Sequence, residues 1–419
     1  MTAHAVVARR ESVRQRGWGF LIRLGVPALG ITFAVTVVST YAPVLIGGRS
    51  NPVVVGIIVG GEGFFGLFVP VVVGAISDRR AKVAQDRVRA MLIATPIAVA
   101  GLVLIAIAGN AVTVVAAGAA IYFACHFAYL APFEALYADL VPDAASGRSR
   151  SAESIWRLAG AAGALIAGGF LVQAWKPSPF LVAAVLIAGT TATVWRFLRH
   201  TKPVHVEGSN RGAHDLWPRT REILAEREVR LIVIANTLWN VTLSALRAFV
   251  VLFFTLGLGR SPSFVSAVIF PLVAIGMAAS APITGQLADR FGHVRVLKIA
   301  VPVYGGGLLV PGITQASWVL GIVPIVAAAA ATTMIVPFAA LMRVMPDHDH
   351  GAIAGVFTLS RGLGTLLGPV MAGAAIFLLR SPLQHTHGYA AMWFVIGTAT
   401  LCTWPVLVRL PADPARRRR

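Results

Sequence analysis

The chain has 419 residues, of which 57% are hydrophobic and only 13% are charged, and its mean hydropathy is +0.77. Soluble domains carry about a quarter charged residues, so this composition excludes a soluble fold and predicts a protein dominated by membrane spans. The formal net charge of +19 does not indicate nucleic-acid binding, because the basic residues lie in short loops between apolar segments.

In chain order, the sequence breaks at charged residues and at Gly, Pro and Asn clusters into apolar segments near or above the ~20 residues that a membrane-crossing helix needs. Helices are required because lipid offers no partner for free backbone groups. We therefore predict an all-α membrane protein with twelve transmembrane helices. These are called spans 1 to 12 and are placed at 19–46, 53–76, 88–109, 111–140, 152–174, 179–198, 230–257, 263–287, 296–315, 318–344, 352–379 and 389–409.

Basic residues predict the orientation of these spans. Of 36 Lys and Arg residues, four lie in loops on one side (Arg49, Lys176, Arg260, Arg380), four are embedded in spans (Arg23, Arg157, Arg247, Arg361), and 28 remain for the other side and the termini. By the positive-inside rule, the side with more basic residues is cytoplasmic, so both termini are predicted to face the cytoplasm. The predicted location is the plasma (inner) membrane. The predicted regions are a cytoplasmic N-terminus (1–18), two six-helix bundles (19–199 and 230–410), a cytoplasmic linker (200–229) and a basic tail (411–419).

The two halves of the chain repeat. Gly74-Ala-Ile-Ser-Asp78-Arg79 recurs 211 residues later as Gly285-Gln-Leu-Ala-Asp289-Arg290, and Pro132-Phe133-Glu-Ala135-Leu136 recurs as Pro337-Phe338-Ala-Ala340-Leu341. Six spans is an even number, so the halves share one orientation and are related by a pseudo-two-fold axis along the membrane normal. This arrangement predicts a substrate site between the halves near the midplane and alternating access by rocking.

These motifs resemble the major facilitator superfamily, whose loop between spans 2 and 3 reads Gly-x-Leu-x-Asp-Arg-x-Gly-Arg/Lys. The second copy, Gly285 to His293, matches it with His293 for the final basic residue, and the first copy lacks the later glycine. The resemblance implies a twelve-helix secondary transporter in which spans 1, 4, 7 and 10 line the cavity. We predict that the two loops form a cytoplasmic latch, because an Asp accepts from helix N-terminal amides and an adjacent Arg pairs with an acid.

A narrower similarity concerns the substrate. Ser77-Asp78-Arg79 and the run from Pro132 to Leu140 are similar to glycoside–pentoside–hexuronide and sucrose-type symporters, which implies proton-coupled uptake of a sugar or glycoside. The alternative is a proton-driven exporter of drugs or metabolites, a branch that usually carries a Gly-x-x-x-Gly-Pro-x-x-Gly-Gly run in span 5. Span 5 has the glycines of this run but not the proline. The run therefore neither favours nor excludes export, and both uptake and export remain as alternatives.

Ionisable groups inside spans are costly and therefore count as functional candidates. Glu62, flanked by Gly60, Gly61 and Gly63, is the predicted proton-coupling residue together with Glu134. A hydrated position near the outer surface is the alternative for Glu62. The predicted cytoplasmic gate adds Asp139, Glu153, Arg157 and Arg361 to the latch residues Gly74, Asp78, Arg79, Gly285, Asp289 and Arg290, and Glu153 precedes Arg157 by a favourable ion-pair spacing.

Two polar stripes are the predicted substrate-binding residues. Tyr122, His126 and Tyr129 share one face of span 4 with Phe133, and an aromatic packing stripe with a satisfied histidine is the alternative. Asn236, Asn240, Ser244 and Arg247 follow one face of span 7, a pattern that is rare in lipid unless it faces a water-filled path.

Other functions are not indicated. The sequence has no phosphate-binding loop, metal-ligand cluster or paired nucleophile and base, so we expect no enzyme activity, no cofactor and no metal. The expected partners are a small-molecule substrate, protons and membrane lipids, without nucleic acid, and the expected state is a monomer. A transporter-like sensor or scaffold is disfavoured by the intact latch motifs.

Overall fold

The computed structural model describes residues 17–141, 146–199, 226–344 and 350–409. These residues form helices and turns with no strand among them. The predicted tail, nearly all of the N-terminal segment and most of the linker lie outside the described residues. The first six spans are Trp18–Gly25 with Pro27–Ile46, Pro52–Arg80, Ala84–Ile107, Val112–Leu140, Ser146–Ala174 and Ser178–Arg199.

The second six spans follow the same order. Span 7 is Arg227–Leu252 extended by a π-helical turn, Phe253–Gly257, and span 8 is Pro262–Phe264, the π-helical turn Val265–Ile269 and Phe270–Phe291. Spans 9 to 12 are His293–Ile313, Val319–Val344, His350–Leu378, and Ala391–Leu401 with Trp404–Val408.

The predicted all-α membrane fold is confirmed. Among the described residues, eleven helices are long and apolar enough to cross a membrane, and the shorter apolar stretch Val319–Met334 occupies the position of span 10. Large apolar side chains such as Ile93, Val185 and Ile313 are exposed on the outer faces of these helices. A soluble monomer rarely exposes so much apolar surface, whereas lipid covers it at little cost.

The described parts of the chain divide into two compact units. One contains Met1–Ala42 and Phe68–Asn210, and the other contains Pro43–Leu67 and Arg211–Arg419. The units differ from the predicted bundles at residues 43–67, since the end of span 1 and the first half of span 2 belong to the second unit. Within the first unit, spans 1, 3, 4 and 6 share a core that includes Met91, Phe133 and Val194.

The two repeated loops lie at the ends of spans 2 and 8, and the backbone that follows each helix differs. Span 2 ends at Arg80, and span 8 ends at Phe291, where Gly292 adopts φ 94°. A positive φ of this size is strained for any residue with a Cβ, which explains why the second loop has a glycine here. The first loop continues without such a turn, because Ala81 still donates its N–H to the Ser77 carbonyl at 2.9 Å.

Candidate functional site

The predicted latch is described only in part. Gly74 and Gly285 lie in the last turns of spans 2 and 8, and a Cβ at either would meet no atom within 4 Å. The side chains of Asp78, Arg79 and Asp289 lie outside the described residues. Arg290 is exposed, and its guanidinium carbon lies 5.3 Å from the centre of the Phe291 ring.

Asp139, predicted to belong to the gate network with Arg157, forms an ion pair with Arg87 in the first turn of span 3. Both side chains are almost completely buried, with exposures of 10% and 6%. Arg87 also donates through Nη1 to Ser77 Oγ at 3.1 Å, so one guanidinium joins spans 2, 3 and 4. Arg87 was not predicted as a partner, although an arginine at the edge of an apolar span is itself a signal.

Four charged side chains of spans 4 and 5 form an ion-pair cluster, called the charge ring, made of Glu134, Arg150, Glu153 and Arg157. Arg157 Nη2 lies 2.6 Å from a carboxylate oxygen of each acid, and Arg150 Nη1 lies 2.6 Å from Glu134 and 2.9 Å from Glu153. Each arginine thus bridges both acids, and the ring carries no net charge. Charge-assisted bonds of this kind are short and directional, which fixes the two helices against each other.

The charge ring changes the interpretation of one predicted residue, Glu134. The expected pair of Glu153 and Arg157 is present, and Arg150 joins it. Glu134, predicted as a proton-coupling residue, is held by both arginines of the ring, so its geometry groups it with the gate residues. Arg361, the repeat equivalent of Arg157, is exposed on span 11.

The span 4 stripe lies mainly inside the first unit. Tyr122 and His126 are buried neighbours, with Tyr122 Oη 3.4 Å from His126 Nδ1. Tyr129 is fully buried and its hydroxyl lies 2.9 Å from Thr191 Oγ1 of span 6, while Phe133 packs in the same core. This environment favours the packing alternative for Tyr129, because a ring without exposed surface does not contact a solute in this state.

Polar residues of span 7 face span 11. Asn236 donates to Ser360 Oγ at 2.6 Å, and Asn240 donates to the Asn236 carbonyl at 2.8 Å. Ser244 Oγ lies 3.1 Å from the Gly364 carbonyl oxygen, and a Cβ at Gly364 would lie 2.6 Å from the Asn240 Cβ. The stripe therefore lies along a close helix–helix contact of the kind that small residues allow in membranes.

Arg247 continues this stripe and pairs with Glu62 of span 2. Arg247 Nη2 lies 3.3 Å from Glu62 Oε1, and the side chains are 24% and 10% exposed. Both residues belong to the second unit, and they are 185 positions apart in the chain. The pair joins the predicted coupling residue to the last predicted substrate-binding residue.

Glycines bring span 2 close to span 11 beside this pair. A Cβ at Gly60 would lie 2.8 Å from the Leu366 carbonyl oxygen, and one at Gly63 would lie 2.5 Å from the Gly362 carbonyl oxygen and overlap the Leu366 backbone. A Cβ at Gly56 would likewise overlap Pro369. This contact, called the glycine seam, leaves no space for a side chain and explains why residues 43–67 belong to the second unit.

Apolar helices that expose their outer faces, a two-fold sequence repeat and paired charges within the spans define a polytopic membrane transporter. Residues 150–369, just over half of the chain, match the family model described as Major Facilitator Superfamily. The chain belongs to this superfamily.

Two curated relatives are similar in sequence. The chain is 26% identical over 286 residues to the multidrug resistance protein MdtG of Escherichia fergusonii, covering 64% of each chain. It is 28% identical over 100 residues to the uncharacterized MFS-type transporter YfiU of Bacillus subtilis, covering 23% of this chain and 19% of that one. The chain therefore matches less than two thirds of the length of either relative.

Solved structures share the fold at low identity. The nucleoside transporter NupG superposes with a TM-score of 0.75 at 13% identity, covering 94% of this chain and 100% of that chain. A bacterial homologue of the human lysosomal transporter Spinster gives 0.70 at 15% identity, covering 93% and 95%. These similarities support the twelve-helix fold.

Proposed function

We propose that this chain is a proton-coupled secondary transporter that takes up a small solute by alternating access. The observation that carries the proposal is the ion pair of Glu62 and Arg247, in which a carboxylate that is 10% exposed meets a guanidinium of another span at 3.3 Å. A carboxylate within a membrane span is costly unless it is paired, and such residues mark proton or substrate pathways.

Proton exchange at Glu62 gives the pair two states. While Glu62 is ionised, it neutralises Arg247 and the pair is stable in a surrounding of low dielectric. When Glu62 takes up a proton, the attraction disappears while the guanidinium keeps its charge, since arginine stays protonated in proteins. The free energy of this pair therefore depends on proton binding, which is the requirement for coupling.

The Glu62–Arg247 pair lies beside the glycine seam, the contact between spans 2 and 11. Glu62 lies in span 2 between Gly60 and Gly63, whose backbones lie against span 11 in the glycine seam. Glu62 holds the same segment to span 7 through Arg247. Loss of the pair weakens the attachment of residues 43–67 to spans 7 and 11, so protonation favours a state in which the seam is separated.

Export is the second candidate, and one observation favours it. The relative that shares 26% identity over 286 residues is named a multidrug resistance protein. For sugar uptake, the supporting run is Pro132 to Leu140, whose Asp139 is engaged by Arg87 and whose Glu134 is engaged by the charge ring. Since both acids have local partners, the run does not by itself indicate a sugar.

Purified protein in liposomes tests the proposal. An inward proton gradient is applied with a pH-sensitive dye trapped inside, and a panel of mono- and disaccharides, nucleosides and cationic drugs is screened for accumulation and proton entry. We expect accumulation by the wild type and by Glu226→Gln, an exposed control outside the spans. Glu62→Gln should lose gradient-driven accumulation and keep exchange of internal for external solute.

Two outcomes contradict the proposal. Accumulation by Glu62→Gln at the wild-type level would remove Glu62 from the coupling mechanism. Drug-dependent proton release from loaded vesicles, without uptake of any solute down the proton gradient, would establish the export candidate in place of uptake.

A further inference from the structure

We propose that Arg247 binds an anionic group of the transported solute, which makes the solute class small organic anions such as carboxylates or phosphate esters. The juxtaposition that carries this inference is a permanently charged guanidinium whose counter-ion, Glu62, is a group that can be neutralised by a proton. The inference rests on the proposed proton exchange at Glu62.

The charge balance of the site determines which solutes fit. With Glu62 ionised, the two side chains sum to zero charge. With Glu62 protonated, Arg247 is left as an uncompensated cation, and an unpaired charge within a membrane span is strongly unfavourable. A solute anion restores neutrality, whereas a neutral solute leaves the charge in place and a cationic solute adds to it.

The hydrogen-bonding capacity of Arg247 is also incompletely used. Its Nη2 reaches Glu62 at 3.3 Å, which is long for a charge-assisted bond. Its Nε is buried and has no hydrogen-bond partner among the described residues. A guanidinium presents Nε–H and Nη–H as a fork that matches the two oxygens of a carboxylate or phosphate, so an anion satisfies the donor that Glu62 leaves open.

Apart from Glu62, the neighbouring stretches of the three helices contain no acidic residue. Between residues 231 and 259 of span 7, Arg247 is the one charged residue, and between 351 and 379 of span 11 the one charged residue is Arg361. Span 2 contributes Glu62 alone between residues 52 and 77. Once Glu62 is protonated, these stretches of the three helices carry cations and no ionised acid, which favours a negative ligand.

Coupling follows from this arrangement. Because the anion binds Arg247 best when Glu62 carries a proton, proton and anion bind together and travel in the same direction. A cation would behave in the opposite way, since it would compete with the proton for Glu62. The buried Nε donor is the feature that favours the anion over the cation.

The test uses the purified full-length protein and measures thermal unfolding at constant ionic strength, without any gradient. Acetate, benzoate and inorganic phosphate are titrated against the neutral benzyl alcohol and the cationic benzylamine. Glu62→Gln imitates the protonated state, and we expect at least one anion to raise its Tm saturably, as a ligand that binds only the folded state does. The Glu62→Gln/Arg247→Gln double variant should show no such rise.

A second comparison covers the case in which Glu62→Gln does not fold. Wild-type protein should bind the same anion about tenfold more tightly in mildly acidic than in neutral buffer, and Arg247→Gln should lose the difference. Equal shifts with and without Arg247, a larger shift with benzylamine, or no anion-dependent shift in any form would overturn the proposal.

The result separates this inference from the proposed function. Anion binding to Glu62→Gln in a protein without proton-driven transport would contradict the coupling and retain the anion site. Proton-driven accumulation of a solute, with no effect of anions on unfolding, would retain the coupling and remove the anion site.

Discussion

Arg87 at the start of span 3 forms an ion pair with Asp139 at the end of span 4, and both side chains are almost completely buried. Arg87 extends the contact to Ser77 of span 2, directly before the Asp78-Arg79 part of the repeated loop. The first copy of the loop is thus connected to span 4 through a residue that is not part of the motif.

Arg87→Gln should destabilise the first unit. Removing one partner of a buried ion pair is strongly destabilising, at a cost of about 3–5 kcal/mol. The measurement is the thermal unfolding midpoint of the purified protein. As a control, Arg89→Gln removes the exposed pair with Asp86, in which Arg89 is 67% exposed and for which about 0–1 kcal/mol is expected. Equal midpoints for the two variants would show that burial of the Arg87 pair contributes nothing.

Arg157→Gln should impair transport by about tenfold or more without preventing membrane insertion. Arg157 bridges Glu134 and Glu153 at 2.6 Å, so its loss leaves Glu153, which is only 3% exposed, with one remaining partner of the ring, Arg150. The measurement compares solute uptake with the amount of protein in the membrane. Arg150→Gln is the matched variant, and a smaller effect is expected because Arg150 is 59% exposed. Normal uptake by well-inserted Arg157→Gln would refute a role for the ring in transport.

Local spacing explains which parts of the site could be predicted from the sequence. Glu153 and Arg157 are four residues apart on one helix, so their pairing follows from helical geometry and is present at 2.6 Å. The cost of a charge in lipid singled out Glu62 and Arg247 one at a time. Their pairing joins positions 185 apart and required the packing of different spans, as did the Arg87–Asp139 pair at 52 positions.

The fold was more predictable than the site for a related reason. Lipid forces each apolar segment of sufficient length to become a helix, so hydropathy predicts the spans. The details within spans depend on packing, and the π-helical turns Phe253–Gly257 and Val265–Ile269 and the break before Pro27 were not predicted. Tyr129 was predicted to bind substrate from periodicity, which identifies one face of a helix without identifying what that face contacts.

Gly63→Ala should weaken the glycine seam. A Cβ at Gly63 would overlap the backbone of Leu366, which cannot be relieved by a rotamer change. We expect a lower thermal unfolding midpoint of the purified protein. Gly189→Ala in span 6 is the control, since a Cβ there meets no atom within 4 Å and alanine favours a helix by about 0.5–1 kcal/mol over glycine. An unchanged midpoint in Gly63→Ala would mean that the seam accommodates a methyl group.

Asn236 distinguishes helix packing from substrate binding in the span 7 stripe. Its side chain donates to Ser360 Oγ at 2.6 Å and both residues are buried, so the single variants Asn236→Ala and Ser360→Ala should not be additive. Polar pairs between membrane helices contribute about 0.6 kcal/mol on average and up to about 1.7 kcal/mol, and we expect a coupling energy for unfolding in this range.

The KM for the transported solute should stay within about twofold in both variants, because a residue that only packs helices removes no substrate contact. Asn240, which is less buried on the same stripe, is the matched comparison, and Asn240→Ala should raise KM if the solute passes along this face. A large increase in KM for Asn236→Ala without coupling to Ser360 would return Asn236 to the substrate site, where its residue type and spacing first placed it.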